Sequence, residues 1–219
     1  MSNSSICCWP PFDVRLITQN VSLATTADED LASLIGLMNE GIHEANQRPF
    51  STTWNLIALP ERNHEFVRRI WSNRAKFKAE DWVLDMTVRV NNKIVGMQSV
   101  YAKDFVVART FVTSSWLGKN YQRQGIGTLA RRAVLYLMFE GLFAIEGHSE
   151  VYEDNLASLK VAQKLGYVEN GFRTYGRDHK KAKSLQYVIT KEIWDNSNNS
   201  SDSEITVTDL KSFKDFIGI

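Results

Sequence analysis

The chain has 219 residues, 43% of them hydrophobic, with a formal net charge of +1. That balance argues against a nucleic-acid partner, and the apolar content argues against a disordered chain. The only cysteines, Cys7 and Cys8, are adjacent, which excludes a disulfide framework and suits a reducing compartment.

The opening MSNSSICCWPPF has neither the basic nor the apolar region of a secretion signal. The longest apolar-rich run, Ala133 to Phe139, is far too short to cross a bilayer. The expectation is a soluble, cytoplasmic protein with no membrane partner.

Val21 to Thr25 reads as a short strand. Thr26-Ala-Asp-Glu29 has the form of a capping box, opening a helix with Leu31, Leu34, Ile35, Met38 and Ile42 at helical spacing. Gly41 and the stretch from Asn46 to Pro49 end or bend it. A second helix is predicted from about Pro60, with Phe66, Val67, Ile70 and Trp71 on one side. Trp82, Leu84, Met86, Val88 and Val90 then alternate with more polar residues, the period of a half-buried strand. Asn91-Asn92 predicts a tight turn into a returning strand, Lys93 to Tyr101.

Arg109 to Leu117 reads as the next antiparallel strand. After the polar run KNYQRQ a helix is predicted to about Glu140, with Ile126, Leu129, Ala130, Ala133, Val134 and Leu137 on one face. Leu142 to Tyr152 reads as a strand, and Asn155 and Gly166 bracket a helix as cap and stop. Tyr167 to Tyr175 and Leu185 to Thr190 suggest a closing hairpin around the charged RDHKK loop. Residues 195–204 read as a polar linker, and 205–219 as a docking segment with Leu210, Phe213, Phe216 and Ile217 at helical spacing. This order predicts a mixed α/β or α+β domain over residues 1–194, around a largely antiparallel sheet.

The stretch Gln122-Arg-Gln-Gly-Ile-Gly127 carries the chemistry. Its glycines are compatible with a plain turn before a helix. Gly125, Gly127 and Ala130, with Glu146 further on, also fit a dinucleotide fingerprint. That reading fails on context, because a strand should run straight into the first glycine and here KNYQRQ intervenes. A third reading has a polar loop swinging over a helix N-terminus. The amides of Gln124 to Thr128 then face outward to a diphosphate, with Arg123 at the rim.

These six residues resemble the Q/R-x-x-G-x-G/A signature of the GNAT N-acetyltransferases, which cradles the pyrophosphate of acetyl-CoA. Further on, DNLASLKVAQKLGYVENG, from Asp154 to Gly171, resembles the N-x-x-S…K-L-G-[FY]…G segment of the ribosomal-protein N-terminal acetyltransferase branch (RimJ/RimL-like). The resemblance spans about Pro10 to Trp194. It implies the GNAT fold, with splayed central strands holding acetyl-CoA, and no metal. Direct acetyl transfer to a primary amine is implied, first of a protein or peptide and second of an aminoglycoside or polyamine. A non-catalytic acyl-CoA sensor with the same fold is the alternative, and an oxidoreductase a distant third.

By this resemblance the backbone of Ser115, Trp116 and Leu117 would bind the pantetheine and thioester, and Gln122 to Thr128 (Gln122, Arg123, Gln124, Gly125, Ile126, Gly127 and Thr128) the pyrophosphate. Asn155 would bond the pantetheine arm and Ser158 would donate to the departing thiolate. Many family members place a general-acid tyrosine seven residues after this asparagine; here that position is Ala162. Glu146, His148 and Glu150 alternate on one predicted strand face, making Glu146 and His148 candidate proton relays and Asp178 a weaker one. In this fold the acceptor wall would hold His43, Glu44, Phe50, Trp54 and residues 175–181, with Glu44 placed to receive a cationic amine. Sheet edges and the tail leave room for a homodimer.

Overall fold

The computed structural model describes residues 9–44, 47–50, 53–199 and 205–219. Cys7, Cys8, Asn46 and residues 200–204 of the polar linker lie outside them. Nine strands are present among the described residues: β1 (Arg15–Thr18), β2 (Val21–Thr25), β3 (Asp81–Val90), β4 (Lys93–Lys103), β5 (Thr110–Leu117), β6 (Glu146–Tyr152), β7 (Val168–Arg177), β8 (Lys180–Thr190) and β9 (Ile205–Thr208). They form one sheet in the order β7-β8-β6-β5-β4-β3-β2-β1-β9. Every pairing is antiparallel except β5 with β6. The helices are α1 (Asp28–Glu40), α2 (Glu61–Ala75), α3 (Phe105–Ala108), α4 (Ile126–Tyr136), α5 (Leu156–Lys164), α6 (Lys191–Asp195) and α7 (Leu210–Ile217). The mixed α/β architecture expected from the sequence is present; β1, β9 and the short helices α3 and α6 were not foreseen.

Two apolar layers sandwich the sheet. On one face Leu31, Leu34 and Met38 of α1 meet Phe66 and Ile70 of α2 over Met97. The other face packs Trp82, Leu84, Met86 and Val88 against α4, α5, α6 and α7, with Trp194, Phe213 and Ile217 fully buried. The alternation in β3 therefore marks its main-core side correctly, yet the strand is not half-exposed. Asp85 and Thr87, on its other side, are buried beneath α1 and α2. They survive there because each is hydrogen-bonded: Thr87 to Asp30 at 2.8 Å, and Asp85 to Ser99, Asn73 and Arg69.

Each departure from expectation has an identifiable physical cause. The N-cap of α1 is Ala27, whose amide donates to Asp30 at 3.3 Å, so the box lies one residue later than Thr26 and Glu29 suggested. Alanine has no acceptor to return the bond, so only half of the box exists. Trp71 is 52% exposed, and its indole nitrogen donates to Asp28 instead of packing beside Ile70. The helix after the phosphate loop ends in a π turn, Leu137–Gly141, and the Ala144 amide bonds back to Met138. Residues 142–144 stay outside the ladder; Ile145 joins it by bonds to Arg109 and Lys191 at 2.8 Å each, and β6 itself starts at Glu146. Most of RDHKK is strand: only Asp178 and His179, at φ 49° and 61°, form the turn. Asn91 and Asn92, at φ 48° and 66°, make the other expected tight turn.

The tail adds β9 to the free edge of β1 and packs Phe213 beside Trp82. No described helix is long and apolar enough to cross a membrane.

The feature that creates a site is a split in the sheet. β5 pairs with β6 only at Thr110–Glu146, Phe111–Gly147 and Val112–His148. Beyond Val112, β5 continues on β4 as far as Leu117, while β6 continues on β8 as far as Tyr152. The two strands diverge and leave a V between them.

Gly96 fixes the β5 arm. It pairs with Leu117, and a Cβ there would fall 2.8 Å from the Leu117 Cα and nearer still to the Trp116 carbonyl oxygen. Backbone cannot swing aside as a side chain can, so Gly96→Ala is expected to lose about 2 kcal/mol by overpacking. Urea unfolding reads this directly, and an unchanged midpoint would contradict this close approach.

Candidate active site

One continuous cleft of about 1370 Å³ runs along the V, from the phosphate loop to the loop between α1 and α2. Single-ligand pockets span roughly 300–1,000 Å³, so this one has room for two reactants.

Its upper end is built on α4. Gly125 caps the helix at φ 80°, a conformation that favours glycine, and no described side chain makes a capping hydrogen bond there. Gly125, Gly127, Thr128 and Arg123 line the cleft. The Thr128 amide is already bonded to the Gly125 carbonyl at 3.0 Å, so the outward set is one amide shorter than expected. Ile126 turns its side chain into the core. Gln124 bonds the Asn120 carbonyl and does not line the cleft. Gln122 does line it, but its side-chain amide also ties the Ile42 carbonyl (2.7 Å) to the Leu117 carbonyl (3.0 Å), fastening the end of α1 to β5.

Ser115, Trp116 and Leu117 lie on the diverging arm and line the cleft, as do Asn155 and Ser158 at the start of α5. Asn155 caps α5 by accepting the Ser158 amide at 3.2 Å, and its amide group reaches Pro49 at 3.5 Å. Ala162, at the position of the expected tyrosine, is fully buried and lies outside the lining.

The two faces of β5 give the cleft two different walls. Towards α1 and α2 stand Val112, Ser114 and Trp116, with their partners Tyr101, Ser99 and Met97 on β4. Here Asp85 organises a polar cluster: it accepts from Ser99 (2.5 Å), Asn73 (2.8 Å) and Arg69 (3.2 Å). Arg69, Ser99 and Tyr101 line the cleft. Burial raises the Tyr101 phenol above its ordinary pKa, although the Arg69 charge works the other way. The mouth is aromatic, with His43, Phe50, Trp54, Trp116 and Phe66 in a chain of ring contacts 5.2–6.5 Å apart.

The other wall faces α4. There Arg131, only 3% exposed, reaches Ser115 on β5 at 3.0 Å and Ser149 on β6 at 3.5 Å. Burial lowers its pKa. Tyr167 lies beside it, its phenol pushed up by burial and drawn down by the Arg131 charge and the Thr113 hydroxyl.

The remaining sequence candidates divide. Phe50 and Trp54 line the cleft. Glu44 lines it too, but its carboxylate is held by Lys119 at 2.8 Å, and that hydrogen bond keeps its pKa low. Glu146 and His148 pair with each other at 2.7 Å and do not line the cleft. They stand where β5 and β6 are still laddered; only the third member of their stripe, Glu150, lies past the split and lines it. Residues 175–181 do not line it either. From behind, Arg177 holds the Arg48 carbonyl (2.9 Å) and Asp178 pairs with Arg48 (3.4 Å), pinning the loop that forms the wall. No group of three or more potential metal ligands occurs among the described residues.

Sequence reasoning passed over Arg131, Arg69 and the Asp85 cluster. Arg131 was legible: four residues after Gly127 and three before Val134, it interrupts the inward stripe of α4. The Asp85 cluster was not, because its members come from α2, β3 and β4.

An acetyltransferase (GNAT) domain family matches residues 21–168. Among solved structures, Mycobacterium smegmatis RimJ in complex with a CoA disulfide superposes with a TM-score of 0.70 at 18% identity, covering 87% of this chain and 93% of that one. RimL, a ribosomal alpha-N-protein acetyltransferase in complex with coenzyme A, gives 0.65 at 15% identity, with coverages of 80% and 96%. A chimeric spermidine N-acetyltransferase SpeG from Vibrio cholerae gives 0.62 at 13% identity, with coverages of 82% and 100%.

Proposed function

Because this chain belongs to the acetyltransferase (GNAT) family, we propose that its cleft binds acetyl-CoA and passes the acetyl group directly to a primary amine, that of a protein or peptide. The observation that carries the reading is the split of β5 from β6 beside an uncovered helix N-terminus, in one cleft large enough for cofactor and acceptor. Coenzyme A in the RimL and RimJ complexes supports the cofactor.

In this reading the amides of Gly125 to Gly127, with Arg123, hold the pyrophosphate at the positive end of α4. The unpaired edge of Ser115 to Leu117 receives the pantetheine and thioester, and Asn155 steadies the arm. The acceptor amine enters past Phe50 and Trp54 and attacks the acetyl carbon. Its proton leaves through water towards Glu150, with His148 and Glu146 continuing the path along β6. Ser158 donates a hydrogen bond to the sulfur.

The charges of the lining favour a monoamine. Arg48, Arg69, Lys119, Arg123, Arg131, Lys160 and Lys164 face the cleft against Glu44, Glu150 and Asp154. Glu44 is bound to Lys119 and Asp154 to Arg177. A polyamine or aminoglycoside carries several charges that would need carboxylates, whereas a peptide amine carries one beside an apolar or acidic body.

The test is a thermal titration followed by an acceptor panel. Acetyl-CoA at a hundredfold excess over its dissociation constant should stabilise the protein by about 2.7 kcal/mol, with no effect from NADPH. Thiol release should then be fastest with peptide amines and fall about 10-fold in Ser158→Ala, the effect of one lost hydrogen bond of about 1.4 kcal/mol. Binding without turnover on any amine would replace this reading with an acyl-CoA sensor.

A further inference from the structure

We propose that Arg131 is the cation that receives the coenzyme A thiolate as the acetyl group leaves. The inference rests on the acetyl-CoA reading above and adds to it a residue that the phosphate-loop signature does not contain.

A guanidinium is costly to bury, because its charge exchanges water for a medium of low polarisability. Proteins usually meet that cost with a carboxylate. Arg131 has none: its hydrogen bonds among the described residues go to two neutral hydroxyls, Ser115 and Ser149, and its Nε has no partner. The titratable group that acts on it is the Tyr167 phenol, whose pKa burial raises and which faces the neutral Thr113 hydroxyl. The cation is therefore fully formed, desolvated and uncompensated.

Its position gives it a purpose. Ser115 stands on one arm of the V and Ser149 on the other, so the guanidinium bridges the two strands beyond the point where their ladder ends. Arg131 lines the cleft from the α4 side, at the floor of the gap into which the thioester would reach. Fixed there by two hydroxyls, it need not reorganise when negative charge develops.

The step balances. The amine lone pair forms the new bond to the acetyl carbon, the carbon–sulfur bond breaks, and its electron pair goes to sulfur. The amine's proton passes to water on the opposite wall. Arg131 keeps its own proton throughout and stabilises the sulfur anion by charge, while Ser158 contributes a hydrogen bond from α5. The thiolate is later protonated by water, releasing coenzyme A. This charge occupies the place of the missing general acid: with Ala162 in the core, the sulfur is held as an anion instead of being protonated as it leaves.

The decisive measurement is the pKa of the coenzyme A thiol bound to the full-length protein. It is read from thiolate ultraviolet absorbance against pH, with the desulfo-CoA complex as blank. In the wild type the thiol should titrate about one unit or more below free coenzyme A, as expected for an opposite charge within a few ångströms. Arg131→Met should abolish the shift and lower kcat about 100-fold, the scale of one lost transition-state donor. KM for acetyl-CoA should change little, and the unliganded variant should melt no lower than the wild type. Arg131→Lys should retain part of the shift. A bound thiol that titrates like free coenzyme A in the wild type overturns the proposal, whether or not Arg131→Met folds. So does a shift that persists in Arg131→Met. Failure of the wild type to bind coenzyme A at all would instead remove the acetyl-CoA reading on which the proposal stands.

Discussion

Gly125→Val is expected to weaken acetyl-CoA binding about 100-fold, the effect of losing roughly two charge-assisted hydrogen bonds to phosphate. Gly125 precedes α4 at φ 80°, and no described atom beyond its chain neighbours lies within 4 Å of where its Cβ would be. The open space is on the cleft side, so an added isopropyl group meets the ligand and not the core. A left-handed conformation costs a non-glycine residue about 1–2 kcal/mol, so the fold should weaken by that much and survive. Gly36→Ala is the control: it lies in α1 outside the cleft lining, and its Cβ would meet no described atom within 4 Å. Calorimetry on both variants separates the effects: equal affinities would show that the phosphates lie elsewhere.

Asp85→Ala should be the most destabilising single change on the α1–α2 face, by about 3 kcal/mol, because it strands the partners of a buried carboxylate. Ser99, Asn73 and Arg69 all donate to Asp85, which is 6% exposed. The Arg69 side chain is 36% exposed and can turn to water, so the loss should sit at the lower end of that class. Asp85→Asn keeps the shape and one acceptor and should cost about 1 kcal/mol, the worth of an ordinary hydrogen bond. Arg69, Ser99 and Tyr101 also wall the acceptor side of the cleft. The asparagine variant should therefore raise KM for the amine while leaving acetyl-CoA affinity unchanged. Chemical denaturation and steady-state kinetics test the two halves independently; an Asp85→Ala protein within 1 kcal/mol of wild type would show that the cluster is not needed for the fold.

Local chemistry was legible wherever the deciding interactions lie within a few residues of chain. The Asn91-Asn92 turn, the Asn155 cap and the phosphate loop before α4 are of this kind: each depends on backbone conformation or a bond to a near neighbour. Misreadings arose where a distant element decided. Trp71 has the spacing of a core residue, but Asp28 at the start of α1 draws its indole to the surface. Residues 142–144 are the local exception: they have the composition of a strand, and the π turn just before them supplies a competing bond from Ala144 to Met138.

The site divides along the same line. The residue order of Gln122 to Thr128 and of Asn155 to Ser158 by itself determined that a glycine-led helix start and a capped helix start exist, because amide direction at a helix terminus follows from the local backbone. It could not determine which of Glu146, His148 and Glu150 meets the cleft. They share a face and differ only in whether β5 still pairs beside them, a matter settled by a strand more than thirty residues away. Nor could it show that Arg131 has no carboxylate partner among the described residues, since that depends on everything that packs around the side chain. Only the tertiary structure placed Ser115 and Ser149 on opposite arms of an open V and put that charge between them, because a split sheet exists only in the pairing of strands far apart in the chain.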